Sequence, residues 1–515
     1  MPRAIIAAGH PDTAAAAAAV IGCGGNAFDG AVAALAAACV AEPVLASLGG
    51  GAFLHARAAG AAPVVYDCFT QTPKARAPTA GLDFRGVHAD FGDATQEFHI
   101  GRGAIATPGA IAGLFAIGRE LCRLPIADLL APARRLARAG VVVNAFQRDI
   151  AEIVLPILAA DPATFALYAS QTDPGRLAHV GERVPWPEFA EALDELASVG
   201  PGLFYGGAWA DRLAADCAAG GHLGVADLAG YRVERREPLP VHYRDARLYL
   251  NPPPSLGGAL LALTLELLDA VSCEGLRCGS STHRLLLAEA MAATAALRAA
   301  VATGGTDADR REAERARFRS RIAAIRQAGP PATRGTTQIS IADRDGNLAS
   351  LTLSNGEGAA YVLPGTGIVL NNMLGEADLA ADGFHRWPTD TRLGSMMCPT
   401  LVEHADGGWT VTGSSGSNRI RSAILQVLVN RIDLGLSLPE AVAAPRLHLE
   451  DGVLSLEPPV AADTVAALAA QGLDVRVWRT QNVFFGGAHS VGIDADGRLH
   501  GAGDGRRGGV VLAVE

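Results

Sequence analysis

Lysine is almost missing from this chain: Lys74 is the only one in 515 residues. A Gly-Lys-Ser/Thr phosphate loop is therefore excluded, and so is the Ser-x-x-Lys motif of penicillin-recognising enzymes. A Schiff-base lysine would have to be Lys74, which sits in a Pro-flanked polar stretch unsuited to that role. Metal motifs are missing too. No His-Glu-x-x-His occurs. The eight cysteines (Cys23, Cys39, Cys68, Cys122, Cys217, Cys273, Cys278 and Cys398) contain no Cys-x-x-Cys pair. Buried reduced thiols are expected, with no metal and no cofactor. The net charge is −10 and no basic run is interleaved with aromatics, so no nucleic-acid partner is expected. Arg310, Arg311 and Arg321 read as the polar face of a helix. Aromatics make up only 5%, which leaves Ala, Leu and Val to pack the interior. The apolar stretch from Ala31 to Leu45 is broken by Glu42 and Pro43 and is too short to span a bilayer. Met-Pro-Arg leads straight into what reads as a folded segment, without a signal-like apolar stretch. A cytoplasmic protein with no membrane partner is the expectation.

What the chain does have is a globular balance of 49% apolar and 19% charged residues. Helices are expected over Thr13–Ile21 and Ala31–Val40, with Asn26 and Asp29 near a cap between them. Gly49-Gly50-Gly51 leads into a strand, but the spacing does not fit a Gly-x-Gly-x-x-Gly dinucleotide loop. Residues 147–235 read as mostly helical. Asn251 to Pro254 must be extended or turning. Helices are again expected over Gly258–Ala270 and Thr282–Ala302. The stretch from Gly304 to Arg334 is rich in Arg, Glu and Asp and ends in Gly329-Pro330-Pro331-Ala332-Thr333-Arg334-Gly335. It reads as an irregular connection that tolerates proteolysis. Thr336 to Asp343 then alternates polar and β-branched residues, Asp345-Gly346 is a hairpin turn, and Leu348 to Leu353 is the return strand. Trp409–Gly413 reads as a second hairpin and Arg419–Leu434 as a helix. Helix-rich sequence before the junction and strand-rich sequence after it points to helices layered over central sheets.

The junction carries the chemistry. A threonine hydroxyl is a weak nucleophile and needs a base. A cut between Gly335 and Thr336 would free the α-amine of Thr336. Its ordinary pKa of about 7.7–8.0 suits a general base near neutrality. The uncut hydroxyl could itself attack the Gly335 carbonyl, where glycine offers no steric hindrance.

Ordered motifs surround this junction. They are His10-Pro11, Gly24 to Val32, Glu42-Pro43, Gly49-Gly50-Gly51, Thr107-Pro108-Gly109, Phe204 to Gly207, Asp227-Leu228 with Tyr231, and Pro252 to Gly258. After it come Asp343 to Asn347, Ser350-Leu351-Thr352, Gly365 to Asn372, Pro399-Thr400 and Gly413 to Ser417. In this order they resemble the γ-glutamyltransferase (glutathione hydrolase) family over nearly the whole chain. The resemblance implies an α+β fold, a four-layer αββα sandwich of the N-terminal-nucleophile hydrolase type. It implies a precursor with a large part, 1–335, and a small part, 336–515, that stay together as a heterodimer of two fragments. It makes Thr336 the nucleophile, Ser354 the counterpart of a second threonine, and the amides of Gly416 and Ser417 the oxyanion hole. A γ-glutamyl or other small amide is the implied substrate.

The departures concern the glutamyl end. The family's carboxylate-binding arginine is replaced by Phe69 in Asp67-Cys68-Phe69-Thr70. Phenylalanine cannot offer the bidentate cation a carboxylate needs. Lys74 and Arg76 are the nearest cations in sequence. Met373 stands where a polar residue is expected, Glu376 keeps an acid, and Gly394-Ser395 stands for a double serine. Asn355 is the nearest counterpart to a further asparagine. Asn355, Glu376, Gly394 and Ser395 are thus the expected substrate-binding residues. Three readings stay open: a γ-glutamyltransferase-like enzyme, a cephalosporin-acylase-like enzyme on a less polar acyl group, and a non-catalytic scaffold.

Overall fold

The computed structural model describes residues 2–90, 95–273, 275–302, 335–377, 379–380, 383–450 and 452–515. The connection 303–334, with Arg310, Arg311 and Arg321, lies outside the described residues. Thirteen strands build two large sheets. In chain order they are β1 (Ala4–Ala8), β2 (Gly51–Arg57), β3 (Val64–Cys68), β4 (Glu234–Arg236), β5 (Leu239–Tyr243), β6 (Ala246–Leu250), β7 (Thr337–Asp343), β8 (Leu348–Ser354), β9 (Thr400–Glu403), β10 (Trp409–Thr412), β11 (Ser490–Ile493), β12 (Leu499–Ala502) and β13 (Val510–Val514). The seven-stranded sheet runs β13-β1-β7-β8-β2-β3-β4, and the six-stranded sheet runs β12-β11-β10-β9-β6-β5. Their inner faces pack on one another through β1, β7 and β8 against β10, β11 and β12. Outside the first sheet lie α1 (Pro11–Gly22), α2 (Ala27–Ala41) and α3 (Ala110–Leu121). Outside the second lie α4 (Leu256–Asp269), α5 (Ser281–Ala302), α6 (Arg419–Ile432) and α7 (Leu438–Ala443). This is the four-layer αββα sandwich that the resemblance implies.

The expected partition of helices first and strands later is too simple. Six of the thirteen strands precede the junction, and both sheets mix strands from the two sides of it. The hairpin of β5 and β6 follows directly on a stretch that reads as helical. Helix α2 also starts earlier than Ala31. Asn26 accepts from the N–H groups of Phe28 and Asp29 while Asp29 accepts from Asn26 N–H, a reciprocal cap that begins the helix at Ala27. All fifteen residues of α2 are buried, which suits its alanine-rich composition.

Alternation in β7 and β8 separates two environments. Ile339, Ile341, Ala349, Leu351 and Leu353 face the helices. The face between the sheets is polar toward the junction and apolar at Ala342 and Leu348, which pack with Leu401, Val411 and Val491. Gln338 Nε2 donates to Ser340 Oγ and Ser350 Oγ, both at 3.0 Å, and its Oε1 accepts from Thr352 Oγ1 at 2.6 Å. Ser340 Oγ donates to His489 O at 2.8 Å, and Ser350 Oγ to Thr412 O at 2.7 Å, across the layer. A one-residue slip would break this ladder and turn the isoleucines inward, so register is fixed by both faces. All eight cysteines are free thiols, but Cys23 and Cys278 are exposed rather than buried. Among the described residues no helix is long and apolar enough to cross a membrane.

Candidate active site

Strand register brings the first two residues of the site together. β7 pairs with β8 antiparallel, Thr337 opposite Leu353, so Thr336 falls beside Ser354. Thr336 Oγ1 lies 2.5 Å from Gly335 O and 3.4 Å from Ser354 Oγ, and Ser354 Oγ donates to Gly335 O at 2.9 Å. Two hydroxyls thus converge on one carbonyl oxygen. Gly335 N–H donates to Glu357 Oε1 at 2.7 Å, holding the peptide from the other side. Thr336 and Ser354 are both buried.

A tight turn before α6 supplies the next pair. Gly416 has φ +107° and Ser417 φ +51°. The first angle belongs to glycine. The second lies in the left-handed region that a serine enters at a cost of about 1 kcal/mol, so the serine at the second position is compatible with the turn. Gly416 O and Ser417 O accept from the N–H groups of Arg419 and Ile420, which ties the turn to the start of α6.

Thr336, Ser354 and Ser417 line one cavity together with Phe69, Met373, Glu376 and Ser395. Met396, Met397 and Ile420 complete its apolar wall. Phe69 is held rigidly. Its N–H donates to Asp67 Oδ1 at 3.0 Å, its carbonyl accepts from Tyr231 O–H at 2.6 Å and from the Arg392 guanidinium, and its ring stacks on Phe53 at 5.3 Å. Arg392 thus lies behind the backbone of Phe69 and does not line the cavity. Lys74 pairs with Asp390 at 2.8 Å and Arg76 donates to His385 O at 3.1 Å, so neither brings a cation into the cavity.

The structure does not gather every expected residue. Asn355 is buried outside the cavity lining, and its Oδ1 has no hydrogen-bond partner. Gly394 also lies outside the lining, where a Cβ would come 3.2 Å from Pro254 O. Two positions after Ser354 stands Gly356 at φ +63°, and a side chain there would collide with Asn372 and Glu376. Sequence reasoning missed three charged neighbours of the junction. Glu42 accepts from Thr337 Oγ1 at 2.6 Å and from Thr13 Oγ1 at 2.7 Å, and burial pushes its carboxyl above the usual range. Glu357 holds Gly335. Arg507 donates to Thr336 O at 3.4 Å from the far end of the chain. Glu42 carried a signal, an acid closing an apolar helix. Arg507, in a Gly-rich tail segment, carried none.

The family model of gamma-glutamyltranspeptidase matches residues 13–514. The acylase ACY 1 proenzyme of Pseudomonas sp. (strain V22) is 34% identical over 535 residues, spanning 99% of this chain and 94% of that one. The glutathione hydrolase proenzyme of Escherichia coli (strain K12) is 29% identical over 521 residues, spanning 94% and 87%. The crystal structure of cephalosporin acylase from Bacillus halodurans superposes with a TM-score of 0.85 at 25% identity, over 100% of this chain and 96% of that one. With the family's motifs, its sandwich and a match running almost end to end, the chain belongs to the gamma-glutamyltranspeptidase family of N-terminal-nucleophile hydrolases.

Proposed function

We propose that the chain is a self-processing amide hydrolase or acyltransferase that acts through Thr336 on acyl groups less polar than γ-glutamyl. The observation that carries this reading is the convergence of Thr336 Oγ1 and Ser354 Oγ on the Gly335 carbonyl, at one end of a cavity walled by Phe69, Met373 and Met396. In the precursor, Thr336 Oγ1 attacks the Gly335 carbonyl carbon while Ser354 donates to its oxygen. The C–N bond breaks, the nitrogen takes up a proton as the α-amine of Thr336, and water hydrolyses the resulting ester to leave a Gly335 carboxylate. Fragments 1–335 and 336–515 stay associated because each sheet takes strands from both.

In the processed enzyme the α-amine accepts the hydroxyl proton and Oγ1 attacks the substrate amide. The amides of Gly416 and Ser417 receive the oxyanion, the leaving amine takes the proton, and water or a second amine accepts the acyl group. Each CH₂ of that group desolvated against the apolar wall contributes about 0.8 kcal/mol. Ser395 and Glu376 are polar groups of the lining offered to its far end; the resemblance adds Gly394 and Asn355, which lie outside that lining. Glu376 also supports a second reading, γ-glutamyl amides, whose ammonium an acid would receive. The lack of a cation in the cavity lining among the described residues weighs against their carboxylate.

Two measurements test this. Denaturing electrophoresis with intact-mass analysis is expected to give two fragments meeting at 335/336, absent in Thr336→Ala. Hexanoyl p-nitroanilide is expected to show a higher kcat/KM than γ-glutamyl p-nitroanilide, with the acyl mass on Thr336. Equal efficiency on the two anilides would overturn the apolar-acyl reading, and an intact chain would overturn self-processing.

A further inference from the structure

Arg507 is a buried cation to which the reaction above gives no role. It stands between β12 and β13 with 3% of its surface exposed. Nη1 donates to Thr336 O at 3.4 Å and Nη2 to Val483 O at 3.3 Å. A Cβ on Gly416 would lie 3.3 Å from Nη2, so the same guanidinium abuts the turn that offers the oxyanion amides. Its stem crosses Gly487, where a Cβ would come 2.6–2.9 Å from the Arg507 Cβ, Cγ and Cδ atoms. The segment that carries it is fixed by ion pairs. Arg506 pairs with Glu457 and with Asp504, and Asp504 also holds Arg446 at 2.6 Å. Burying a cation against main-chain carbonyls is costly, and here it is placed on the reacting residue itself.

We propose that Arg507 is an electrostatic positioning residue: once Thr336 is N-terminal, the guanidinium keeps its α-amine uncharged and able to take the hydroxyl proton at neutral pH. The inference rests on the reading of Thr336 as the nucleophile. The carbonyl that Arg507 touches and the amine share one Cα, which sets the two nitrogen centres about 6 Å apart. A like charge at that distance, at an effective dielectric of about 20, lowers the amine's pKa by roughly one to two units. The other charged groups around the amine are Glu42 through Thr337, Glu357 on Gly335, Glu376 in the cavity, and Arg419 beyond Arg507. The three acids favour a protonated amine. Burial raises the Glu42 carboxyl, and Arg507 opposes the acids. Burial, and then the charge of Arg419, bring Arg507 itself down to about 9, against the opposing charges of Asp504, Glu357 and Glu42. It therefore remains a cation at neutral pH.

The test is the pH profile of kcat/KM for hexanoyl p-nitroanilide, measured on processed enzyme whose Thr336 acylates. The acid limb is expected to move up by about one pH unit in Arg507→Met and in Gly487→Ala, which displaces the cation without removing it. Arg507→Lys is expected to restore the limb to within about 0.3 unit. A limb that coincides with wild type in processed Arg507→Met overturns the inference, even if the rate at the plateau falls. Should Arg507→Met fail to mature, Gly487→Ala decides: an unmoved limb there overturns it equally. If the wild-type chain is not cut before Thr336, the nucleophile reading fails first and takes this inference with it.

Discussion

The two ends of the cavity are built on different principles. At the Thr336 end, position comes from the backbone. Strand register sets Thr336 beside Ser354, the Gly335 peptide is held through its N–H and its carbonyl, and the turn to which we assign the oxyanion amides depends on main-chain angles at Gly416 and Ser417. At the Phe69 end, position comes from side-chain packing. Phe69 stacks on Phe53, while Met373 and Met396 fill the wall with flexible, polarisable chains. What the first end must keep is its backbone geometry and a hydroxyl at position 354 beside the Gly335 carbonyl. The second can exchange a cation for a ring while the sandwich stays in place. Chemistry is thus tied to the fold and recognition is not.

The largest expected effect lies at the backbone-built end. Thr336→Ala removes both the attacking oxygen and the cleavage, so activity falls by about 10⁴-fold or more, and electrophoresis shows one intact chain. Ser354→Ala removes one donor to the Gly335 carbonyl. Self-cleavage, followed as fragment appearance over time, should slow by roughly 10²–10³-fold, and Ser354→Thr should restore most of it because the hydroxyl is kept. A smaller effect separates the two residues of the turn. Gly416→Ala forces a side chain to φ +107° and against Arg507, strain of about 1–3 kcal/mol, so kcat should drop about tenfold or more. Ser417→Gly relieves left-handed strain and should leave kcat within about threefold. If Ser417→Gly were the slower of the two, the site would depend on the serine side chain and the contrast between the ends would break.

Much of the backbone-built end was legible in the sequence, because it is local. Alternation from Thr336 to Asp343, the Asp345-Gly346 turn and the return strand to Leu353 predict the β7–β8 hairpin, and a hairpin fixes the Thr336–Ser354 pairing. The Gly416-Ser417 pair came from the family resemblance; the residues alone read as a Gly/Ser-rich loop before a helix. What was not legible comes from far along the chain. Arg507 reaches Thr336 across 171 positions, and Glu42 reaches Thr337 across 295; no spacing rule links them. Ser340 and Ser350 alternate like solvent-facing residues, yet a second sheet covers them. The mixing of strands from both sides of the junction was missed because β5 and β6 adjoin helix-like sequence. Asn355 and Gly394 came from the family resemblance, where the motifs are shifted by a residue, and both lie outside the cavity lining.

The smallest expected effect, and the sharpest test of the comparison, is at Phe69. Phe69→Arg puts back the cation that carboxylate recognition needs, but into a wall built for a ring. The new guanidinium would lose the stack on Phe53, meet Met373 and Met396, and find Glu376 as the one acid lining the cavity among the described residues. Without substrate it would pair with Glu376, so binding a γ-glutamyl group would first have to break that pair. The ratio of kcat/KM for γ-glutamyl over hexanoyl p-nitroanilide should therefore rise, but by about tenfold at most, while the fall in hexanoyl turnover accounts for part of it. Thermal unfolding should show the accompanying loss, about 3 kcal/mol by analogy with removal of a buried phenylalanine. Self-cleavage should be unaffected, because nothing in the Gly335–Thr336–Ser354 geometry rests on the ring at position 69. Loss of self-cleavage in folded Phe69→Arg would show the two ends to be one unit, and recognition would then be tied to the fold as tightly as the chemistry is.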